Sequence, residues 1–187
     1  MKLALLLLAA GAAVAAADST AFQFNATKDA TVSYNHFTFD NGTQEAYTAK
    51  GNDPTLVAMR SAVDYRRILL GFTLPKQVDK PAQIAKCMLN VPRPIRAPGQ
   101  TYTLLAYSAA GAWDESTVTA ATELTTVKEL GSTNVTLGSA PGAIDILDAC
   151  QTASNGQFSV FVDSSRPLVA FNARDTGRDI FSVDLTY

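Results

Sequence analysis

The sequence predicts an all-β protein, a single-domain β-sandwich of antiparallel strands. Three observations support this prediction. Short runs of alternating apolar and polar residues recur along the chain, and a period of two is typical of half-buried strands. Turn signals rich in Gly, Asn, Asp and Pro separate these runs. No internal repeat, linker or low-complexity tract marks a second domain.

The first third of the chain predicts three strands. One covers residues 30–34, and residues 37–39 form the near side of a predicted hairpin that turns at 40–42. Asn-Gly at such a turn is the strongest short-range hairpin signal. A second turn, at residues 51–54, leads into a strand over 55–59.

The middle of the chain adds three strands. In the strand over residues 66–74, alternate residues share one face: Ile68, Leu70, Phe72 and Leu74. The strand over 83–91 places Cys87 on the face that points inward. The Pro-rich stretch at 91–99 must be a loop or a sheet edge, because Pro cannot donate a ladder hydrogen bond. A strand over 102–107 follows.

The last third repeats the alternation at residues 158–162 and 181–187, with a short apolar run at 167–172. Residues 143–153 predict a strand that turns into a brief helical connection. About ten to twelve strands at this spacing indicate a sandwich. A closed barrel remains open as the alternative.

Residues 1–17 predict a secretory signal peptide. Met1 and Lys2 form the positive end, an apolar run covers residues 3–8, and small residues precede the cleavage site after Ala17. Residues 18–187 would then be the secreted, extracellular β-sandwich binding module. The chain carries 17 acidic and 15 basic residues. That balance predicts neither a nucleic-acid nor a membrane partner, since both favour basic surfaces.

Two features match a secreted protein. The two cysteines, Cys87 and Cys150, are expected to form one disulfide bond in an oxidising compartment. A bridge over so long a loop stabilises by about 4 kcal/mol in the chain-entropy treatment; the alternative is two buried thiols. Three Asn-x-Thr sequons predict glycosylation, at Asn25, Asn41 and Asn134.

The order of several motifs resembles a known family. The motifs are Asp-Ala-Thr-Val at 29–32, Arg-Ile-Leu-Leu-Gly-Phe-Thr-Leu-Pro at 67–75, Ile-Ala-Lys-Cys-Met-Leu at 84–89, Ala-Tyr at 106–107, Trp-Asp-Glu-Ser-Thr-Val-Thr at 113–119, Ala-Ile-Asp-Ile at 143–146 and Ala-Arg-Asp at 173–175. Together they resemble the DNRLRE-type modules grouped with carbohydrate-binding module family 96. Two departures are Ala120, where the family usually continues with Trp, and Asp175, where Glu is usual. The resemblance implies a jelly-roll-like sandwich that is extracellular, non-catalytic and associated with polysaccharide.

The sequence offers little for catalysis. His36 is the only histidine, which excludes multi-His zinc sites, and no Gly-x-Ser-x-Gly elbow accompanies it. Carboxylate pairs for sugar hydrolysis depend on a separation in space. The candidates are Asp114 with Glu115, Asp145 with Asp148, and Asp163. Structural or solvated roles are the favoured interpretation for each, so we expect no catalytic residues.

Sugar binding requires aromatic surfaces and planar polar groups, and acidic sugars also require Arg or Lys. The candidate ligand-binding residues are Arg93, Arg96, Tyr102, Trp113, Arg174 and Arg178. For Trp113 the favoured interpretation is core packing with a satisfied indole N–H, and a ligand platform is the alternative. Arg174 and Asp175 are either part of such a site or a mutual ion pair that holds a turn.

No cofactor is expected, although a structural calcium ion stays open. Calcium prefers clustered oxygen ligands. Asp29, Asn35, Asp40, Asn52 and Asp53 supply oxygens, but their spacing matches no recognised calcium loop.

The leading functional hypothesis is a secreted, non-catalytic module that binds a polysaccharide or a cell-wall glycan. The second is an effector- or elicitor-like interaction protein that uses the same sandwich to contact a host protein without binding glycan. The third and weakest is a polysaccharide lyase or hydrolase.

Overall fold

The computed structural model describes residues 19–35, 42, 44–136 and 139–187. Several predictions lie outside the described residues: the signal peptide, the strand at 37–39 with most of its turn, the environment of His36, and the side chains of Asp40 and Asn41.

The described residues form eleven strands and one short α-helix. In chain order these are β1 (Ala21–Asn25), β2 (Lys28–Ser33), β3 (Thr55–Arg60), β4 (Tyr65–Thr73), β5 (Lys86–Asn90), β6 (Tyr102–Ala110), β7 (Thr125–Val135), β8 (Ile144–Asp145), α1 (Leu147–Gln151), β9 (Gln157–Ser164), β10 (Val169–Asn172) and β11 (Ser182–Thr186). Single 3-10 turns occur at Glu45–Tyr47, Pro81–Gln83 and Arg174–Thr176. No helix in this described part is long and apolar enough to cross a bilayer.

All strand pairs are antiparallel, and the strands form two sheets. The four-stranded sheet has the order β1-β11-β5-β8. The seven-stranded sheet has the order β10-β3-β4-β9-β6-β7, and β2 also pairs with β4. The two sheets form a sandwich-like single domain, which confirms the predicted fold class.

The main core lies between the sheets and follows the alternation in the sequence. On β4, Ile68, Leu70 and Phe72 point into this core and are at most 1% exposed. β9 is the hydrogen-bonded neighbour of β4 and contributes Phe158, whose ring stacks on Phe72 with centroids 5.1 Å apart. The predicted inward face of this strand is therefore confirmed.

The opposite, outer face of the seven-stranded sheet is also buried in its middle. Leu69 of β4 and Phe161 of β9 lie there and are fully buried. They are covered by the segment between β6 and β7, residues 111–124, which we call the cover loop. The cover loop packs Trp113 and Val118 onto that face. Because β4 is covered on both sides, its sequence is a nearly continuous apolar run.

Two strands were missed in the sequence. β1 carries a readable alternation, with Phe22 and Phe24 half-buried between exposed neighbours. β7 has no such signal, because it is an edge strand whose side chains are mostly exposed. The sequence of β7 therefore shows no alternation of apolar and polar residues.

The predicted disulfide bond is confirmed. Cys87 on β5 and Cys150 on α1 are bonded, and both cysteines are fully buried. The bond joins positions 63 residues apart in the chain, so it fastens the helix to the four-stranded sheet.

An ion-paired cluster fastens the cover loop to the sandwich. Asp29 on β2 donates its backbone N–H to Glu115 Oε1 (2.6 Å), and its Oδ2 accepts the backbone N–H of Arg174 (2.6 Å). The Arg174 guanidinium donates to Glu115 Oε2 (2.9 Å) and pairs with Asp175 (2.8 Å). We call Asp29, Glu115 and Arg174 the clamp, because they join β2, the cover loop and the turn after β10.

Gly51 shows how closely the chain packs around the clamp. A Cβ atom at this position would lie 1.6 Å from the backbone oxygen of Glu115. Only glycine permits that approach, so the turn at 50–54 rests directly on the cover loop.

Burial raises the pKa of Asp29 to about 6, and the neighbouring Glu115 carboxylate adds to the rise. The Arg174 N–H and guanidinium act in the opposite direction. The folded protein therefore holds this proton more tightly than the unfolded chain does. The resulting stabilisation is complete below the ordinary pKa of 3.8 and is lost as the pH rises through about 6.

Removal of the disulfide bond should weaken the fold. The double variant Cys87→Ala/Cys150→Ala is expected to lose about 4 kcal/mol of unfolding free energy, because its unfolded chain is no longer constrained. Urea denaturation measures the change, and wild-type protein unfolded under reducing conditions is the control. An unchanged midpoint would contradict the assignment of this stabilising role.

Asp29→Asn should remove a pH dependence of stability. The Asn side chain still accepts the Arg174 N–H but cannot ionise. Between pH 3.8 and about 6, wild-type unfolding free energy should fall relative to that of the variant, by at most about 3 kcal/mol. Urea denaturation across this range provides the test. Parallel pH profiles for the two proteins would show that Asp29 does not titrate as described.

Candidate functional site

An open groove of about 970 Å³ is one concave feature of the described residues. It lies where β4 ends, β9 begins and β6 runs into the cover loop. One wall is a run of small residues, Ala109 to Ala112, and the other is formed by α1 and the turn that follows it. The volume falls in the range of ligand-binding sites.

Trp113 forms part of the groove and fixes the start of the cover loop. Its indole Nε1 donates to Ser159 Oγ on β9 (3.0 Å), and its ring lies over Gly71 of β4. A Cβ at Gly71 would lie 2.6 Å from Lys28 Cγ and 3.1 Å from the indole ring, so the missing side chain leaves room for both neighbours. Because Trp113 is only 8% exposed, it offers the groove an edge and not an open face.

Lys28 occupies the remaining side of the indole. Its ammonium donates to the Trp113 carbonyl oxygen (2.7 Å) and lies 4.1 Å from the ring centroid. Burial lowers the pKa of Lys28, while the Asp114 and Glu115 carboxylates act against that shift. The ammonium of Lys28 is therefore engaged by the carbonyl and the ring of Trp113.

The groove presents free hydroxyl and amide groups from a rigid turn. Asn155 (φ 52°) and Gly156 (φ 71°) are the left-handed pair of a two-residue turn, and Ser154 and Gln157 bridge across it. This conformation is that of a type I′ hairpin turn, for which Asn-Gly is favoured. Within the described part of the chain, four exposed lining residues have no side-chain hydrogen-bond partner: Thr73, Ser154, Asn155 and Gln157.

A second polar cluster lies on the outer face, beyond the other side of the cover loop. Arg67 is 6% exposed and its Nε donates to Asp163 Oδ1 (2.6 Å). Tyr65 donates its hydroxyl to Asp163 Oδ2 (2.9 Å), and its ring stacks with Tyr34 at 5.2 Å. Burial and the Asp163 charge raise the pKa of Tyr65 to about 12, so it stays a donor. These groups satisfy one another, which makes the cluster structural.

Two of the predicted ligand-binding residues lie in the loop beside edge strand β10, and two follow that strand in the chain. The loop that carries Arg93 and Arg96 runs beside edge strand β10, where Arg96 and Ala170 form a bridge. Arg174 and Arg178 follow β10 in the chain. Arg93, Arg96 and Arg178 are exposed, whereas Arg174 is held by the clamp. Their role in ligand binding stays a prediction.

The two predicted aromatic residues lie on opposite faces of the seven-stranded sheet. Tyr102 belongs to the main core, is 3% exposed, and its hydroxyl has no partner among the described residues. Trp113 belongs to the outer face. The six predicted residues therefore do not converge on a single surface. Of these six residues, only Trp113 lines the groove. Its indole is mostly buried in the outer-face apolar cluster, and only the edge of the ring is exposed.

Each carboxylate considered for catalysis has a partner in the protein. Asp114 accepts from the Ser116 amide (2.9 Å), and Glu115 belongs to the clamp. Asp145 accepts the Leu147 N–H (2.9 Å), which fits the expectation that it binds turn amides. The remaining two pair with basic side chains, Asp148 with Lys128 and Asp163 with Arg67.

Some of the oxygen-bearing residues considered for calcium already bind protein groups. Asp29 lies in the clamp. The Asn35 side chain accepts the Tyr65 N–H (2.7 Å) through its oxygen and donates its amide N–H to Asp64. Over residues 19–35, 42, 44–136 and 139–187, no three His, Cys, Asp or Glu side chains are grouped to hold a metal ion. Asp40 lies outside these ranges.

Two of the three sequons are described, and both are accessible. Asn25 ends β1 and Asn134 lies on edge strand β7, with each side chain exposed. Asn41 lies outside the described residues. Glycosylation stays a prediction for all three.

The groove could not be predicted from the sequence, because its lining residues are of common types. Small and hydroxyl-bearing residues form most of its walls, and such residues are common in loops of any function. One signal was readable: Asn155-Gly156 is a strong hairpin turn. It predicts the rigid turn but not the groove, which depends on how distant loops assemble.

The chain is similar to a secreted protein of a fungus. A curated relative, named an uncharacterized secreted protein of Arthroderma benhamiae, is 27% identical over 129 residues. The match covers 68% of this chain and 65% of the relative, so this chain spans just under two thirds of that protein's length.

A family model matches nearly the whole described sandwich. The model is that of carbohydrate-binding module family 96, and it matches residues 20–185. The match begins before β1 and ends within β11, so it includes the clamp, the cover loop and the groove. The chain belongs to carbohydrate-binding module family 96.

Proposed function

We propose that this protein is a secreted, non-catalytic module that binds polysaccharide in the groove beside Trp113. The observation that carries the proposal is the groove itself, which combines free hydroxyl and amide groups with apolar edges. Sugars present the same combination, because their hydroxyls form hydrogen bonds while their C–H surfaces pack on apolar groups.

Membership of a carbohydrate-binding family supports the ligand class. The assignment as a non-catalytic protein is supported by the carboxylates, since each candidate is engaged in an ion pair, a turn or the clamp. Secretion is supported by the predicted signal peptide, by the disulfide bond and by the name of the relative.

The groove shape suits a chain more than a single sugar. Its volume of about 970 Å³ exceeds that of one sugar ring, and Val127 on β7 contributes a 63% exposed apolar side chain to its lining. An extended polysaccharide would make many weak contacts there, whereas a single sugar would need an exposed aromatic side chain on which to stack.

Filling the groove should weaken binding. Ala112→Trp places a large side chain in the groove from an exposed wall position, and retention in polysaccharide affinity gels is expected to weaken by at least about tenfold, equivalent to about 1.4 kcal/mol. The matched control is Ala21→Trp, which is exposed on edge strand β1 of the other sheet.

Equal retention of both variants would place the ligand elsewhere on the molecule. Failure of the wild-type protein on every neutral and acidic polysaccharide would contradict carbohydrate binding, and capture by a purified host receptor would then favour the interaction-protein hypothesis. New reducing ends or unsaturated products would contradict the non-catalytic assignment.

A further inference from the structure

Three neighbouring residues on the outer face of the seven-stranded sheet lie under Trp113. Lys28 on β2 pairs with Gly71 on β4, and Gly71 pairs in turn with Ser159 on β9. Residues directly opposite each other on adjacent strands have neighbouring side chains on the same face of a sheet. Lys28, Gly71 and Ser159 therefore form a continuous strip across three strands, which we call the seat.

Each part of the seat contacts a different part of Trp113. The Lys28 ammonium donates to the Trp113 carbonyl oxygen (2.7 Å) and lies 4.1 Å from the ring centroid. Ser159 Oγ accepts the indole N–H (3.0 Å). Gly71 leaves space between these two residues, since a Cβ there would lie 3.1 Å from the ring. Trp113 is thus held at its backbone, its ring and its N–H group.

The seat belongs to the groove. Lys28, Trp113 and Ser159 all line it, and Ala109 on β6, which also lines it, is the register partner of Ser159. The small-residue wall at 109–112 runs directly into Trp113 along the chain. The position of Trp113 therefore sets the position of that wall relative to β9.

Lys28 has no other role in the described part of the chain. Its ammonium makes its one hydrogen bond there to Trp113 and forms no ion pair at salt-bridge distance. The nearby carboxylates have other partners, because Asp114 accepts the Ser116 N–H (2.9 Å) and Glu115 belongs to the clamp. Burial lowers the pKa of Lys28 and the two carboxylates oppose that shift. A half-buried cation placed in this way serves Trp113.

We propose, on the basis of the proposed function, that Lys28 is a positioning residue for the groove, which fixes Trp113 and the adjoining wall in the arrangement that binds polysaccharide. Lys28 acts through Trp113, by its hydrogen bond and its contact with the indole ring. A wall that is already fixed loses less conformational entropy when a ligand binds. Removal of the ammonium should therefore weaken binding in a protein that remains folded.

The test uses the complete secreted protein and its variant Lys28→Met in affinity gels that contain glucan, xylan, mannan, pectate or alginate. In each gel that retains the wild type, Lys28→Met should be retained about fivefold less strongly, equivalent to about 1 kcal/mol. The loss should be equal at low and at high ionic strength, because it does not arise from attraction between exposed charges.

Fluorescence reports on the same residue without any sugar. Trp113 is the only tryptophan in the chain. In Lys28→Met its emission should shift to longer wavelength and acrylamide should quench it more strongly, because the indole becomes freer and more exposed. Lys28→Arg should restore most of the retention and of the emission, since a guanidinium also donates hydrogen bonds and stacks on indole.

The matched control is Lys86→Met, which removes an exposed lysine at the start of β5 in the four-stranded sheet. It should leave both retention and emission unchanged. Ser159→Ala provides an independent variant without a change of charge. It frees the indole N–H at the other end of the seat and should also weaken retention and shift the emission.

The outcomes separate this inference from the function on which it rests. A purely structural Lys28 would lower the urea midpoint of Lys28→Met while the folded variant bound as the wild type does, and that result would overturn the positioning role. A loss of retention that disappears at high ionic strength would also overturn it, because the ammonium would then attract the sugar directly. Wild-type retention in none of the gels contradicts the proposed function and, with it, any role of Lys28 in binding.

Discussion

The structure depends on burial of the outer face of the seven-stranded sheet. A sandwich buries only the inner faces of its sheets, yet β4 and β9 also carry Leu69 and Phe161 on the outside. The cover loop hides them, with Trp113 and Val118 as its apolar contacts, and the clamp fixes the loop in place. Without that loop, large apolar surface would face water, at a cost of about 1.5–3 kcal/mol for each large side chain.

The same constraint creates the groove. The cover loop leaves the sheet at Ala110 and returns at β7, so the small residues at its start stand away from α1 and β9. The disulfide bond holds α1 against β5, which keeps the opposite wall in position. The groove is thus bounded by segments that are fastened for stability, and a rigid site loses less conformational entropy when a ligand binds.

The sequence predicted the fold well where burial and strand period agree. Ile68, Leu70 and Phe72 alternate because their side chains fill one core, and Cys87 points inward for the same reason. β7 was missed because an edge strand needs no apolar alternation. Among the predicted ligand-binding residues, Trp113 lines the proposed groove, and the arginines were chosen because long charged side chains are conspicuous in a sequence. Free hydroxyls such as Thr73 become significant only when folding brings them to one groove.

Several charged residues instead serve the fold. Arg67 and Asp163 form a buried pair beneath Tyr65, and Arg174 holds Glu115 in the clamp. A buried charge left without its partner would be strongly destabilising, so these residues are not free to exchange partners with a ligand. The side chains left available at the proposed groove, such as Thr73 and Gln157, are those that make no side-chain hydrogen bond within the described residues.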